Sequence, residues 1–322
     1  MTPLVVIEDP DDPRVAGFRL NERGLANRVQ RRDDSGDGLF MAEGDLVVER
    51  ALDAGCTPVL ALVDHGRPPA LTARLAEHVT VFAGGDRLRA AITKLGMPYS
   101  VVALFERPPR PSAEALAAQS TRLVMVEEVD NPVNVGSIAR NALALGWDGL
   151  ITDSTSADPL ARRALRVSMG HALRLPHARV RDIVATMVSL VDAGWQVLAL
   201  TPSPDAVPLD EVMPSTRLAL VVGSERAGLS AEALAGASTR VRIPMGSDVD
   251  SLMPPQRQQW PAGTCDADPV RRGEHGHGVG VLGPLIGRPV SLRRCSAAGT
   301  KYCIRVSRTG PGSVSRSTAA AM

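Results

Sequence analysis

The sequence predicts an α/β protein: a mostly parallel sheet domain preceded by a smaller α/β segment. Two observations predict it. From residue 121 onward, short apolar runs alternate with helical patterns several times, beginning at TRLVMVEEV. Strands alternating with helices need crossover connections, and these build parallel sheets. Before that, residues 1–107 show a shorter alternation of the same two patterns. At 322 residues the chain is long enough for two domains with sizeable cores.

In chain order, the first segment (1–107) carries helical patterns in GDLVVERALDAG, LTARLAEHV and GDRLRAAITKL, and strand patterns in PVLALV, VTVF and VVALF. Residues 108–120 read as a linker, because Pro108, Pro109 and Pro111 favour extended backbone and break helices. In 121–252 the expected strands are 122–126, 148–152, 196–200, 218–222 and a short 240–243. The expected helices are 137–145, 159–168, 181–193 and 230–235. Asp158-Pro159 reads as an N-cap followed by proline at the first helical position, and Gly146 as the residue closing the first of these helices. Residues 253–322 differ in kind. They are rich in Gly, Arg, Pro and Ser with no sustained period, and are expected to be disordered.

Charge divides along the same line. The net +1 conceals about +7 from residue 253 onward and about −6 before it. The body is therefore no broadly basic nucleic-acid glove, and any such binding uses local arginine clusters and is salt-sensitive. Aromatics make up only 3% of the residues, which disfavours base-stacking platforms. Of the four cysteines only Cys56 precedes residue 253, which fits a reducing cytoplasm. The first residues, MTPLVVIEDPDDPR, lack a basic region followed by an apolar core, and no apolar run reaches the ~18 residues of a membrane span. The expectation is a cytoplasmic protein with no membrane association.

Three stretches could carry chemistry. In NPVNVGSIARNALALG (131–146), Asn131-Pro132 marks a loop leaving a strand, Asn134 can cap a helix, and Gly136 allows backbone or ligand to come close. Ile138, Ala142 and Leu145 form the expected inward stripe, with Arg140 on the face of Gly136 and Ser137. A guanidinium beside a glycine-lined loop suits a phosphate or sugar hydroxyl; the alternative is a solvated arginine on an ordinary capped helix. In LALVVGSERAGLS (218–230) a buried strand ends at Gly223, with Ser224 and Glu225 on the turn, where open α/β sheets bind ligands. The third stretch, IPMGSDVDSL (243–252), ends another strand and leads toward a helix.

In this order the three stretches resemble the SpoU/TrmH family of RNA ribose 2′-O-methyltransferases, within the SPOUT superfamily. The matching pieces are N-x-x-N-x-G-x-x-x-R (Asn131 to Arg140), V-V-G-S-E-x-x-G-L-S (Val221 to Ser230) and I-P-M…D-S-L (Ile243 to Leu252), with RVSMGHALRLP (166–176) between the first two. The resemblance covers about 121–252. GLFMAEGDLVVERAL, preceded by NRVQRR, is similar to the small L30e-like substrate-binding domain found ahead of this catalytic domain. The resemblance implies a trefoil-knotted α/β domain, a homodimer, and S-adenosylmethionine held by Gly223, Ile243, Met245 and Leu252. It implies that Arg140 helps activate the ribose 2′-OH of an rRNA or tRNA, that Asn134 shapes the same site, and that Glu225 is structural or positions substrate. A guanidinium is a poor general base, so the role of Arg140 is either electrostatic or one that needs a substrate phosphate nearby. Arg28, Arg31 and Arg32 are candidates for RNA phosphate contacts, or else a solvated face beside Asp33 and Asp34. No metal site is expected.

The tail contains decoys. GVGVLG (278–283) matches G-x-G-x-x-G, but the strand before and helix after that a dinucleotide site needs are missing from the pattern, which removes the oxidoreductase reading. His275 and His277 have no partner ligands at metal spacing. The family continues D-S-L with Asn and an Ala-rich helix that closes the knot, whereas here Met253, Pro254 and Pro255 follow. The genetic code offers a test of the break. Met is ATG and Trp is TGG. With one base restored before Met253 and Arg257 taken as CGN, MPPQRQQWP regroups into new codons. The first encodes Asn if that base is A, the second and last encode Ala, and the rest draw on Ala, Thr, Pro, Ser, Val and Met. Ala is the best helix former. The expectation is that 253–322 is an out-of-frame translation in which the knot-closing helix is lost and activity impaired. The alternatives are a divergent tail in high-GC coding, and an RNA-binding protein without catalytic activity.

Overall fold

The computed structural model describes residues 4–26, 38–94, 99–243, 290–294 and 302–306. They fall into two compact units, residues 1–200 with 217–238, and residues 201–216 with 239–322.

In the first unit the chain builds one sheet before residue 107. Its strands are β1 (Val5–Val6), β2 (Leu39–Glu43), β3 (Pro58–Asp64), β4 (Val81–Gly84) and β5 (Val101–Glu106), in the order β1-β4-β3-β5-β2. β1, β4 and β3 run parallel, while β5 is antiparallel to both β3 and β2. β2 carries no clean alternation in LFMAE, since four of its five residues are buried. Helices α1 (Glu22–Leu25), α2 (Asp45–Asp53), α3 (Thr72–Ala76) and α4 (Asp86–Thr93) connect the strands. Val15, Phe18, Met41, Leu62, Ile92 and Leu104 centre the core here.

The segment read as a linker does more than connect. Ser112 caps α5 (Ala113–Ala118) by accepting from the Ala115 N–H. Ala113, Leu116 and Ala117 of α5 then bury into the core of the next sheet. The three prolines end just before the cap, so they set the helix start and do not prevent it.

That next sheet holds β6 (Arg122–Val126), β7 (Gly149–Thr152), β8 (His177–Arg179), β9 (Gln196–Leu200) and β11 (Leu218–Val222), in the order β9-β11-β6-β7-β8, all parallel. Alternate residues Leu123, Met125, Val197, Ala199, Ala219 and Val221 pack on one face with α5, α8 (Ile183–Asp192) and α9 (Ala231–Gly236). The intervening Val124 and Val126 are buried too, so the sheet is covered on both faces. On that second side run α6 (Pro132–Ala144), packed on β7, and α7 (Arg162–Val167), packed on α6.

Two helix starts differ from the sequence reading. Asn131, not Asn134, caps α6: its side chain accepts from the Val133 N–H at 3.0 Å, with Pro132 at the first helical position. Asp158 does not cap α7, which starts three residues later after Ala161. It instead makes a local turn to Leu160 N–H and receives Arg107 and Arg110. Gly146 closes α6 as expected: it sits at φ +76°, donates to Leu143, and Trp147 donates to Ala142.

The two sheets of this unit meet through charge. Glu43 is 4% exposed and is held by Arg162 through a short ion pair, with Arg166 at 3.5 Å. Arg107 reaches Asp158 at 2.5 Å.

In the second unit β10 (Val207–Pro208) pairs in parallel with β12 (Thr239–Arg242). Farther along, β13 (Val290–Arg294) and β14 (Tyr302–Val306) form an antiparallel pair, where the sequence reading expected no regular structure. The rest of 253–322 lies outside the described residues.

Candidate functional site

The parallel sheet has a switch point at β6. From β6 the chain proceeds through α6 to β7 on one side, while β11 lies on the other. Loops leaving neighbouring strands in opposite directions open a crevice at the carboxyl edge, where open α/β sheets bind ligands. Here those loops are 127–131, after β6, and 223–230, after β11.

Hydrogen bonds join them. Glu127 N–H extends the strand pairing to Val222 at 3.0 Å. Its buried carboxylate accepts from Ser230 N–H at 2.8 Å and Ser230 Oγ at 2.7 Å. Ser230 in turn caps α9 by accepting from Ala233 N–H. Glu128 follows in the left-handed region at φ 54°, uncommon for a residue with a side chain. Its N–H is held by Asp153 at 3.1 Å. Burial pushes the Asp153 carboxyl up, but hydrogen bonds from Ser156, Thr155 and Glu128 more than offset this and keep it below the usual range. The ionised carboxylate thus anchors the strained loop.

Asn134, one turn into α6, donates its side-chain amide to Glu225 at 3.2 Å. The first two sequence stretches therefore meet through these two side chains. The 224–228 loop is closed on itself, with Ser224 N–H to Gly228 at 3.1 Å and the return bond at 3.0 Å. Gly223 is required for that closure: a Cβ there would lie 2.2 Å from the Gly228 carbonyl carbon.

Arg140 stands six residues beyond Asn134, about 9 Å along the helix. It is half-buried and its guanidinium lies 3.5 Å from the Val167 carbonyl. The buried stripe of α6 is Val135, Gly136, Ala139 and Ala142. Ile138 and Leu145, expected inward, are only half-buried, because α7 covers the helix from the Gly136 side. A Cβ on Gly136 would meet the Ala164 carbonyl oxygen at 2.5 Å, so this glycine admits a neighbouring backbone and no ligand.

The structure thus brings Asn134, Glu225 and Gly223 to one edge of the sheet. Ile243 follows β12 in the second unit and is half-buried. Met245, Leu252, Arg28, Arg31 and Arg32 lie outside the described residues. The sequence patterns single out neither Glu127 nor Asp153, and give Ser230, at the end of the second motif, no role of its own. The acidic pair Glu127-Glu128 ending an apolar run was the available signal, since a carboxylate there is costly unless it has donors. Among the described residues no helix is long and apolar enough to cross a membrane, and no group of three or more His, Cys, Asp or Glu could hold a metal ion.

Residues 121–252 match the SpoU rRNA Methylase family. Over 257 residues, 76% of this chain and 85% of the relative, the sequence is 39% identical to a Mycobacterium bovis protein named an uncharacterized tRNA/rRNA methyltransferase. The chain belongs to the SpoU rRNA methylase family. It is also 26% identical over 214 residues to the 23S rRNA (guanosine(2553)-2′-O)-methyltransferase RlmP of Bacillus subtilis, covering 66% of this chain and 82% of that one. Among solved structures it resembles an AdoMet-bound rRNA methyltransferase from Sinorhizobium meliloti, with a TM-score of 0.64 and 26% identity, over 78% of this chain and 92% of that chain. In this SpoU chain the edge at β6 and β11 offers fixed loops, a neutral amide paired with a carboxylate, and a guanidinium on the adjoining helix. Such a set can position a polar substrate.

Proposed function

We propose that this SpoU chain is built to methylate the ribose 2′-OH of an rRNA or tRNA with S-adenosylmethionine. The observation that carries the reading is the Asn134–Glu225 junction, which ties the first family stretch to the second at the switch point of the sheet. The relative named as a 2′-O-methyltransferase and the neighbour described with bound AdoMet support it. The closed 223–228 loop suits a ligand held by rigid backbone, and Gly223, Ile243, Met245 and Leu252 are the residues assigned to hold the cofactor. When bound, the cofactor supplies an electrophilic sulfonium methyl. The chain's own task is then to align the hydroxyl oxygen and help remove its proton. Arg140 acts beside the hydroxyl, electrostatically or together with a substrate phosphate that accepts the proton, Asn134 shapes the site, and Glu225 orients Asn134.

The same reading includes a trefoil knot, a homodimer, and residues 1–107 as an L30e-like RNA-binding domain, with Arg28, Arg31 and Arg32 on phosphates. It also includes an out-of-frame tail. The family match stops at Leu252, the residue before the codon break, and this supports loss of the knot-closing helix and impaired activity in the 322-residue form. Calorimetric titration with S-adenosylmethionine tests it. The frame-restored chain binds, and the 322-residue chain binds far more weakly or not at all. Equal binding by both rejects the impairment, and no binding by either rejects the cofactor assignment.

A further inference from the structure

Beyond the catalytic edge, one strongly charged region has no part in the site described. The short 3-10 turn His171–Arg174 packs against α2, α6 and α7. Arg50 of α2 and Arg174 line a cavity of about 490 Å³, together with Asp53, Ala54 and Leu173. Arg50 is fixed there. Its stem lies over Gly170, which at φ +80° has no side chain to block it, and its guanidinium makes a short hydrogen bond to the Met169 carbonyl. The one carboxylate in the lining, Asp53, is taken by Arg74 at 2.8 Å. Arg174 is exposed and pairs with no carboxylate among the described residues.

His171 opens the same 3-10 turn. Its Nδ1 is buried without a hydrogen-bond partner among the described residues. Desolvation first, and then the charges of Arg50, Arg140 and Arg174, hold its imidazole below the ordinary value. Two guanidiniums thus line this hollow while its one carboxylate is already paired, and His171, held toward its neutral form, adds no charge of its own. Two like charges lining one hollow make a favourable place for an anion.

We propose that Arg50 and Arg174 form a phosphate-binding track for the RNA backbone, continuing from Arg140 across to α2. The inference rests on the proposed RNA substrate and assigns where its strand passes. Arg50 and Arg174 are positioning residues. They fix the register of the strand and do not touch the reacting ribose.

Fluorescence anisotropy with a labelled RNA hairpin, titrated by the 322-residue chain over a range of KCl concentrations, tests the track. Each lost phosphate contact lowers the salt slope by about 0.7–0.9. The expected result is a slope reduced by roughly one in Arg174→Ala and roughly two in the Arg50→Ala, Arg174→Ala double variant. Affinity falls about tenfold or more in the double variant at low salt. Arg50→Lys restores most of the loss from Arg50→Ala, because the charge returns. Arg174 is exposed, so its variant folds whatever the outcome. Inorganic phosphate at matched ionic strength leaves the RNA bound, as expected for a strand held at several phosphates. Displacement by it contradicts a track. Unchanged affinity and slope in both variants, or no RNA binding by the unsubstituted chain, overturns the proposal. Intact RNA binding and variant effects without methyl transfer by the frame-restored chain uphold the track and reject the proposed activity instead.

Discussion

At the scale of single residues, the site depends on two side chains and one missing side chain. Gly223 is the missing one. Its Cα faces the Gly228 backbone so closely that Gly223→Ala forces the 223–228 loop to move. Overpacking against backbone costs about 1–3 kcal/mol, and urea denaturation should show a loss of that order, with cofactor binding abolished in the frame-restored chain. Glu127 acts by a different route. Its carboxylate is committed to Ser230, which starts α9. Removing a charged acceptor from buried donors costs about 1–3 kcal/mol. Glu127→Ala should therefore destabilise the protein by that amount and speed hydrogen exchange in α9. A purely solvated Glu127 would leave both unchanged. Asn131 and Asn134 differ in role despite lying one turn apart. Asn131→Ala removes a helix cap and should cost about 1 kcal/mol. Asn134→Ala should leave stability nearly unchanged and lower methyl transfer by the frame-restored chain, because its amide reaches Glu225 and no backbone N–H of its own helix.

At the scale of elements, the sequence was most legible where burial is continuous. The central strands 122–126, 196–200 and 218–222 are runs of apolar residues covered on both faces, and the structure has them at the same bounds. Helices α6 and α8 were readable from their period and from Gly146. The rest was hidden for identifiable reasons. β1 and β10 have two residues and β8 three, too short to display any period. α5 was masked by prolines that in fact end before its Ser112 cap. Asp158 looked like a cap because Asp-Pro is a common helix start. Its actual partners, Arg107 and Arg110, are remote in sequence, and no local pattern reveals them. At the site, the stretches holding Asn134, Glu225 and Gly223 were legible as motifs. The bonds that fix the loops there, Glu127 to Ser230 and Asp153 to Glu128, were not, since they depend on which strands become neighbours.

At the scale of the whole first unit, charge clusters fasten its two sheets. Glu43 is buried and relies on Arg162. Arg162→Ala leaves Arg166 at 3.5 Å as the remaining partner, and breaking a buried pair costs about 3–5 kcal/mol. Chemical denaturation should show a loss toward the lower end of that range, and less for Arg162→Lys. A second cluster sets an acid limit. Burial, and then Arg110, depress His177 to about 4. Burial alone raises the Asp158 carboxyl, but Arg107 and Arg110 more than offset it and hold it well below the carboxylate range. His177 is neutral in the folded chain and takes a proton near pH 6.5 when unfolded. Stability is therefore full above about 6.5 and falls as pH drops toward about 4, by on the order of 3 kcal/mol. Asp158 adds a further loss below its unfolded value near 3.8. Melting temperature against pH should fall in that window, and His177→Phe should flatten the part between about 6.5 and 4.

On the proposed reading, activity is expected of the chain with the reading frame restored after Leu252. The most direct measurement supplies that chain with methyl-labelled S-adenosylmethionine and rRNA or tRNA, then digests the RNA to nucleosides. Label is expected in ribose 2′-O-methyl nucleosides, which protect the adjoining phosphodiester from alkali, with loss of that label in Arg140→Ala. Label in a methylated base, or undiminished 2′-O-methylation in the Arg140 variant, would contradict it.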